Sequence, residues 1–233
     1  MGTSYTREDF LEGRILLIDK PLGSTSFQAV NAVKWAIRRK FGMQKIKVGH
    51  AGTLDPLATG LLLICTGKAT KRISELQSQP KEYTGIITLG STTPSYDLET
   101  ETDRHYPTAH ITEEDILAAA SGFVGEILQK PPVFSALKKD GKRMYELARK
   151  GEDVEMPSRP VHIGEFEITA IRELEVAFRV VCSKGTYIRS LAHDFGLALG
   201  SGGHLTTLKR TKTGEYDVNK AQSPEVFREE LLG

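Results

Sequence analysis

Between residues 42 and 60 the chain reads GMQKIKVGHAGTLDPLATG, too rich in Gly, Thr and Pro for a regular helix or strand, yet joined to apolar segments on both sides. A long irregular connection between buried elements needs a reason to exist. Any fold open to this sequence must hold that loop on a scaffold built by its neighbours. Upstream, RILLID (14–19) precedes the turn signal Lys20-Pro21-Leu22-Gly23 and reads as a buried strand. Ser26 then caps a helix on which Phe27, Val30, Val33 and Ile37 recur at helical spacing. Downstream, residues 61–65 form a second buried strand. In 83–89, Tyr83, Gly85, Ile87 and Leu89 alternate with Thr84, Ile86 and Thr88, the period of a half-buried strand. Thr112, followed by Glu113, Glu114 and Asp115, starts a helix with acids at the positive end of its dipole. Residues 143–150 read as a helix that Gly151 stops, and 161–170 with 174–182 as a hairpin. Thr186 opens a helix whose Ile188, Leu191, Ala192, Phe195 and Leu199 keep one apolar face until Gly200. Strands outnumber helices and do not alternate with them regularly. The expected class is α+β, with a mixed, largely antiparallel sheet flanked by helices.

No apolar run approaches the ~20 residues of a bilayer span. The N-terminal MGTSYTREDFLEGR places acids where a signal peptide needs a basic and then an apolar stretch, so a soluble, cytoplasmic protein is expected. Cys65 and Cys182 lie far apart in apolar contexts without C-x-x-C or a nearby histidine pair, which predicts buried free thiols and no metal site. The net charge of +1 hides a segregation. From Lys20 to Arg72 ten basic residues face a single acid, Asp55, whereas between Asp97 and Glu126 eight acids face only Arg104. From Lys130 to Lys150 seven bases face two acids. Such a chain can present a positive face to a polyanion while its total charge stays near zero.

Several familiar chemistries are excluded. Gly67-Lys68 is followed by Ala69, and Leu62 stands where a P-loop needs its first glycine. The histidines form no H-E-x-x-H, and there is no G-x-S-x-G elbow. What remains is Asp55, a lone carboxylate in a basic stretch, preceded by small residues and stiffened by Pro56. It is either a poised anion or the structural carboxylate of an Asp-Pro turn. A second cluster, Cys182-Ser183-Lys184-Gly185-Thr186-Tyr187-Ile188-Arg189-Ser190, ends a strand and starts a helix, with Tyr187 and Arg189 off the helix's apolar stripe. Arg189 is either an ordinary surface arginine or a partner that would hold Asp55 ionised and oriented.

At these residues the sequence closely resembles the TruB family of tRNA pseudouridine synthases, which isomerise the uridine at position 55 in the T loop. Lys20-Pro21 with Gly23 and Ser26, GHAGTLDPLATGLL around Asp55, the strand from Lys81 through Tyr83 to Gly90, PPVFSALKKDGKRMYELARKG from Pro131, and CSKGTYIRSLAHDFG with Gly203, His204 and Leu208 to Arg210 carry the likeness. The resemblance implies the pseudouridine synthase fold with an active-site cleft and no cofactor, since the reaction imports no group and changes no redox state. It implies Asp55 as nucleophile, Arg189 as its partner, and Tyr83 as a platform for the flipped base or a general base. Tyr187, Leu208 and Lys20 join the substrate site, and His50 fills the place the base vacates. Lys138, Lys139, Lys142 and Arg143, in an RNA-gripping insertion at about 130–151, would meet phosphates. Residues 1–213 are expected to form the catalytic domain. The tail 214–233 is too short for the RNA-binding PUA domain of many relatives, so weaker, more salt-sensitive tRNA binding is expected. A monomer acting on the T arm of tRNA follows as the default, with an inactive tRNA-binding or chaperone-like module and an N-glycoside hydrolase as rivals.

Overall fold

Every residue from Gly60 to Thr66 is buried, as a strand covered on both faces requires, and the uninterrupted apolar run LLLIC is the sequence form of that requirement. A computed structural model of the chain describes residues 5–135, 138–139, 142–143 and 156–233. The chain divides into two units, Met1–Tyr83 with Lys209–Gly233, and Thr84–Leu208.

The first unit starts with helix α1 (Arg7–Glu12), whose Thr6 and Asp9 form a reciprocal capping box. Strand β1 (Ile15–Lys20) follows, then helix α2 (Ser26–Phe41), and short β2 (Val48–His50) leads to β3 (Ala58–Thr66). A 3-10 turn over Gly67–Arg72 and helix α3 (Ile73–Ser78) follow. Both β1 and β2 pair antiparallel with β3, Ile15 opposite Cys65 and Val48 opposite Thr66. Because side chains alternate along a strand, β3 serves two cores. Leu62 and Ile64 join Val30, Val33 and Ile37 of α2, while Leu61, Leu63 and Cys65 pack with Ala51, Leu76 and Val218. The buried Cys65 thiol is pushed up to about 11 by burial, with Arg72 opposing.

The helix cap differs from expectation. Thr25, not Ser26, is the N-cap of α2, paired with Gln28 in a capping box, and this frees the Ser26 hydroxyl for the loop. Phe27 is also not core: it is 68% exposed, while Ala29 and Ala36 complete the buried stripe. The irregular segment is less continuous than its composition suggests, since β2 interrupts it at Val48–His50 and β3 already begins at Ala58.

Strands β4 (Lys81–Leu89) and β12 (Gly203–Thr213) contribute residues to both units. In the second unit, β5 (Ser91–Thr92) pairs with β6 (Arg104–His105), and helix α4 (Glu113–Gly122) begins at the capping box Thr112–Asp115. Strand β7 (Gly125–Gln129) follows, and β8 (Lys138–Lys139) pairs with β9 (Lys142–Arg143). The helix expected over 143–150 lies outside the described residues except at Arg143, which is in β9. The expected hairpin is β10 (Arg159–Arg172) with β11 (Glu175–Cys182), and β10 also pairs antiparallel with β7. Helix α5 (Ile188–Ala198) starts two residues later than expected, because the Thr186 hydroxyl donates to the Ser183 carbonyl instead of capping it. Its Phe195 packs edge-on to Phe166, which meets Phe178 the same way. After β12, β13 (Tyr216–Asp217) and helix α6 (Pro224–Leu232) complete the first unit, α6 capped by Ser223 with Pro224 in its first turn. The architecture is the expected α+β class, with β1 and β2 antiparallel to β3 and with β7 and β11 antiparallel to β10. No described helix is long and apolar enough to cross a membrane.

One contact of the second unit leaves no room for a side chain. A Cβ on Gly196 of α5 would sit 2.2 Å from the Gly203 backbone nitrogen, below any real contact distance. Gly196→Ala should therefore lower stability by about 1–3 kcal/mol or more through overpacking. A urea midpoint unchanged from wild type would show that α5 and β12 do not approach this closely.

Candidate active site

In the first unit, the loop from Ala51 to Leu57 is held peptide by peptide. The Ala51 N–H donates to the Leu63 carbonyl at 2.9 Å. Buried Ser26 accepts from the Leu54 N–H at 2.8 Å and donates to the Leu54 carbonyl at 3.0 Å. The Asp55 carbonyl accepts from the Ala58 N–H at 3.1 Å, and the Pro56 carbonyl accepts from the Gly23 N–H at 2.9 Å. Asp55 is thus fixed by its own backbone and by both neighbours, and its half-buried side chain sits among exposed Thr53, Pro56 and Leu57.

Two enclosed cations complete the support. Lys20 has no exposed surface, and its Nζ donates to the carbonyls of Ser24 (2.6 Å), Pro21 (2.9 Å) and Pro56 (3.4 Å), one acceptor for each N–H of an ammonium. Burial pushes its pKa down to about 8, with the Asp55 charge opposing and Arg210 adding to the fall. Arg210 of β12 is 1% exposed; its Nε donates to the Leu61 carbonyl at 2.7 Å and its guanidinium to the Gly52 carbonyl at 3.1 Å. Gly60 makes this approach possible: its φ is +101° and a Cβ there would lie 2.3 Å from the Arg210 carbonyl oxygen. His50, at the end of β2, is half-buried, and its pKa is lowered by burial first and by Arg210 second, against a backbone hydrogen bond with Gly52. The neutral ring is the favoured form. Tyr83 is buried in β4.

In the second unit, the start of α5 is anchored to the end of β7. Buried Gln129 grips the Tyr187 backbone from both sides, donating to its carbonyl at 3.0 Å and accepting from its N–H at 2.7 Å. The Tyr187 ring is half-buried, with the Arg159 guanidinium 4.8 Å from its centroid. Arg189 is no surface residue. It is 4% exposed, donates to the carbonyls of Ser95 (3.2 Å) and Phe134 (2.9 Å), and places Nε 3.7 Å from the buried Asp97 carboxylate. Leu208 is half-buried near the end of the same unit. The backbones of Lys138, Lys139, Lys142 and Arg143 form the β8–β9 pair. Among the described residues no group of three or more His, Cys, Asp and Glu is placed to hold a metal ion.

Lys20, His50, Asp55 and Tyr83 therefore belong to the first unit, and Tyr187, Arg189 and Leu208 to the second. Sequence reasoning missed Arg210, Asp97 and Gln129. A buried arginine in a strand has no periodic signature, and Asp97 opens an acidic run that reads as a solvated face. The usable signal was the irregular loop itself, whose carbonyls, outside any regular element, had to find donors elsewhere in the chain.

Residues 38–188 match the TruB family pseudouridylate synthase N-terminal domain, and residues 189–231 match the tRNA pseudouridylate synthase B C-terminal domain. A Flavobacterium johnsoniae protein named tRNA pseudouridine synthase B is 63% identical over 97% of this chain and 99% of its own length. A protein of the same name from Bacteroides thetaiotaomicron is 54% identical over 95% and 94%. Among solved structures, a chain in a Cbf5-Nop10-Gar1 complex is 31% identical with a TM-score of 0.67, covering 91% of this chain and 52% of that one. A chain in an H/ACA RNP bound to a substrate RNA containing 2'-deoxyuridine is 29% identical with a TM-score of 0.62, covering 89% and 49%. This chain spans about half the length of those two solved chains. Scaffold and matches together define the class of pseudouridylate synthases. The chain belongs to the TruB family.

Two measurements probe the loop support. In lysine-labelled protein, one side-chain resonance should titrate near pH 8 and vanish in Lys20→Arg. Because the folded value lies below the ordinary 10.5, unfolding should take up a proton between these limits and stability should rise with pH there. A spectrum with every lysine near 10.5 would contradict the enclosed ammonium. Ser26→Ala strips both hydrogen bonds from the Leu54 peptide and should cost about 1–3 kcal/mol in urea unfolding. An unaltered midpoint would show that this hydroxyl does not hold the loop.

Proposed function

We propose that this protein converts uridine to pseudouridine at position 55 in the T loop of tRNA, with Asp55 as the nucleophile. The observation that carries this reading is the clamped loop, which holds a half-buried carboxylate in the field of enclosed cations within a chain of the TruB family. The reaction breaks the N1–C1′ bond, joins C5 to C1′, releases the C5 hydrogen as a proton and leaves N1 to take up a proton in its place, so that product and substrate are isomers. Asp55 starts it by attack at C1′ of the ribose or C6 of the uracil.

A uridine must leave its stack before a side chain can reach it, at a few kcal/mol. His50 suits the vacancy, because a neutral imidazole can lie among bases without giving up the hydration of a charge. Tyr83 serves as platform for the flipped base or as general base, and Tyr187 and Leu208 line the uracil pocket. We assign Arg189 the role of keeping Asp55 ionised and oriented; within its own unit its guanidinium is held by Asp97 and two carbonyls. Lys20 serves the substrate site through the loop, since its donors are engaged by carbonyls. Lys138, Lys139, Lys142 and Arg143 grip phosphates from the β8–β9 pair. We take residues 1–213 as the catalytic domain, working without a cofactor, as a monomer and in the cytoplasm.

Product analysis tests the reading against its rivals. With T-arm RNA tritiated at uracil C5, isomerisation releases label while the base stays attached; a glycoside hydrolase frees the base, and a binding module does neither. Asp55→Ala should reduce release by about 10³-fold or more while retaining tRNA binding. Turnover within tenfold of wild type would refute the nucleophile assignment.

A further inference from the structure

At the end of β2 away from His50, the first unit holds a cleft of about 650 Å³ lined by Lys34 and Arg38 of α2, Lys45 and Lys47 of the following segment, and Lys68 and Lys71 of the 3-10 turn. No carboxylate lines it. Lys68 is neutralised by Glu12, whose two oxygens lie 2.8 Å from its Nζ. No ion pair with a carboxylate forms among the described residues at Lys34, Lys45, Lys47 or Lys71.

Basic residues in the last turn of α2 have an ordinary purpose, since they complement the helix dipole, and that accounts for Arg38, Arg39 and Lys40. It does not account for Lys45, Lys47 and Lys71, which come from two other segments and converge on the same concavity. Like charges gathered around a cleft repel one another, and the arrangement is stabilised when an anion enters. The fold maintains this convergence: the Gly67 N–H donates to the Lys47 carbonyl at 2.9 Å, joining the two segments that carry the lysines.

We propose that this cleft binds the sugar-phosphate backbone of the tRNA substrate, as a second contact distinct from the Asp55 loop; the proposal rests on the RNA-modifying reading above. Three features favour a polymer over a single small anion. Arg38, Lys45, Lys47 and Lys71 are exposed, so no enclosed site surrounds a lone phosphate. The charges come from three separate segments around the cleft and not from one compact cradle, as contact with successive phosphates requires. Lysine predominates, which suits positioning by point charge and not the forked recognition of one group. The cleft is also tied to the site by β2, because Lys47 precedes His50 by three residues, about 10 Å of extended chain. A strand of RNA that reaches His50 therefore passes within range.

The test uses the full chain as Lys45→Ala/Lys47→Ala/Lys71→Ala, against a control of equal charge loss at exposed positions elsewhere, Arg172→Ala/Lys220→Ala/Arg228→Ala. The dissociation constant for unmodified tRNA is measured across a salt series, with C5 tritium release by the wild-type protein in parallel. The cleft variant should lose affinity at least tenfold near 0.1 M salt, and its slope of log K against log salt should fall by about 2–3, the release expected for three phosphate contacts. The control should change its slope by less than about 1. A cleft variant with the wild-type slope, or a loss equalled by the control, overturns the proposal. So does saturable binding of inorganic phosphate that the cleft variant loses while its tRNA slope stays unchanged, since that marks a small-anion site. Wild-type protein that releases no tritium but shows the expected slopes would refute the isomerase reading and leave the cleft standing. Normal release with unchanged slopes would refute the cleft alone.

Discussion

An ammonium removed from water must find its full complement of acceptors inside the protein, and Lys20 finds them in three carbonyls of the segments around Asp55. That requirement is the constraint on which the first unit's site depends. The carbonyls can reach the ammonium only if the turn after β1 and the loop before β3 lie together, so satisfying one charge sets the position of two irregular segments. Arg210 repeats the arrangement from β12, taking carbonyls at both ends of the same loop. Placed this way, the cations are kept from water yet remain close enough for Asp55 to act on Lys20 electrostatically.

The second unit solves a related problem by a different route. The start of α5 lacks a side-chain cap and is tied instead to the end of β7: Gln129 accepts from the Tyr187 N–H and donates to its carbonyl, and the Ser190 hydroxyl donates at 2.7 Å to the carbonyl of Lys130, the residue after β7. The helix terminus is thereby referenced to a strand and not to its own sequence. Arg189 gains the rigidity that a long, flexible side chain would otherwise lack, through two carbonyls and Asp97.

Much of the scaffold was legible because its physics is local. The apolar run of β3, the alternation of β4, the acidic start of α4 and the β10–β11 hairpin each carry their period in a few residues. The errors fall where a side chain works at a distance. Ser26 reads as a cap because serine beside a helix start usually is one, but Thr25 takes that place and leaves Ser26 to bind Leu54, 28 residues away. Arg189 reads equally as surface charge or as a partner of Asp55, and nothing local marks Arg210 as enclosed, since only tertiary carbonyls make the burial of either tolerable. Asp55 was singled out by its isolation among bases, a pattern that survives in one dimension. The residues that hold it in place leave no such trace.

The enclosed Cys65 has a practical corollary. A thiol whose pKa is pushed up to about 11 inside β3, with Cys182 likewise buried in β11, is almost wholly protonated at neutral pH and shielded from reagents. Both native thiols should stay silent toward maleimides in the folded state. A single cysteine introduced on the rim of the Asp55 loop would then carry a fluorophore or cross-linker alone, with no need to strip the parent sequence first.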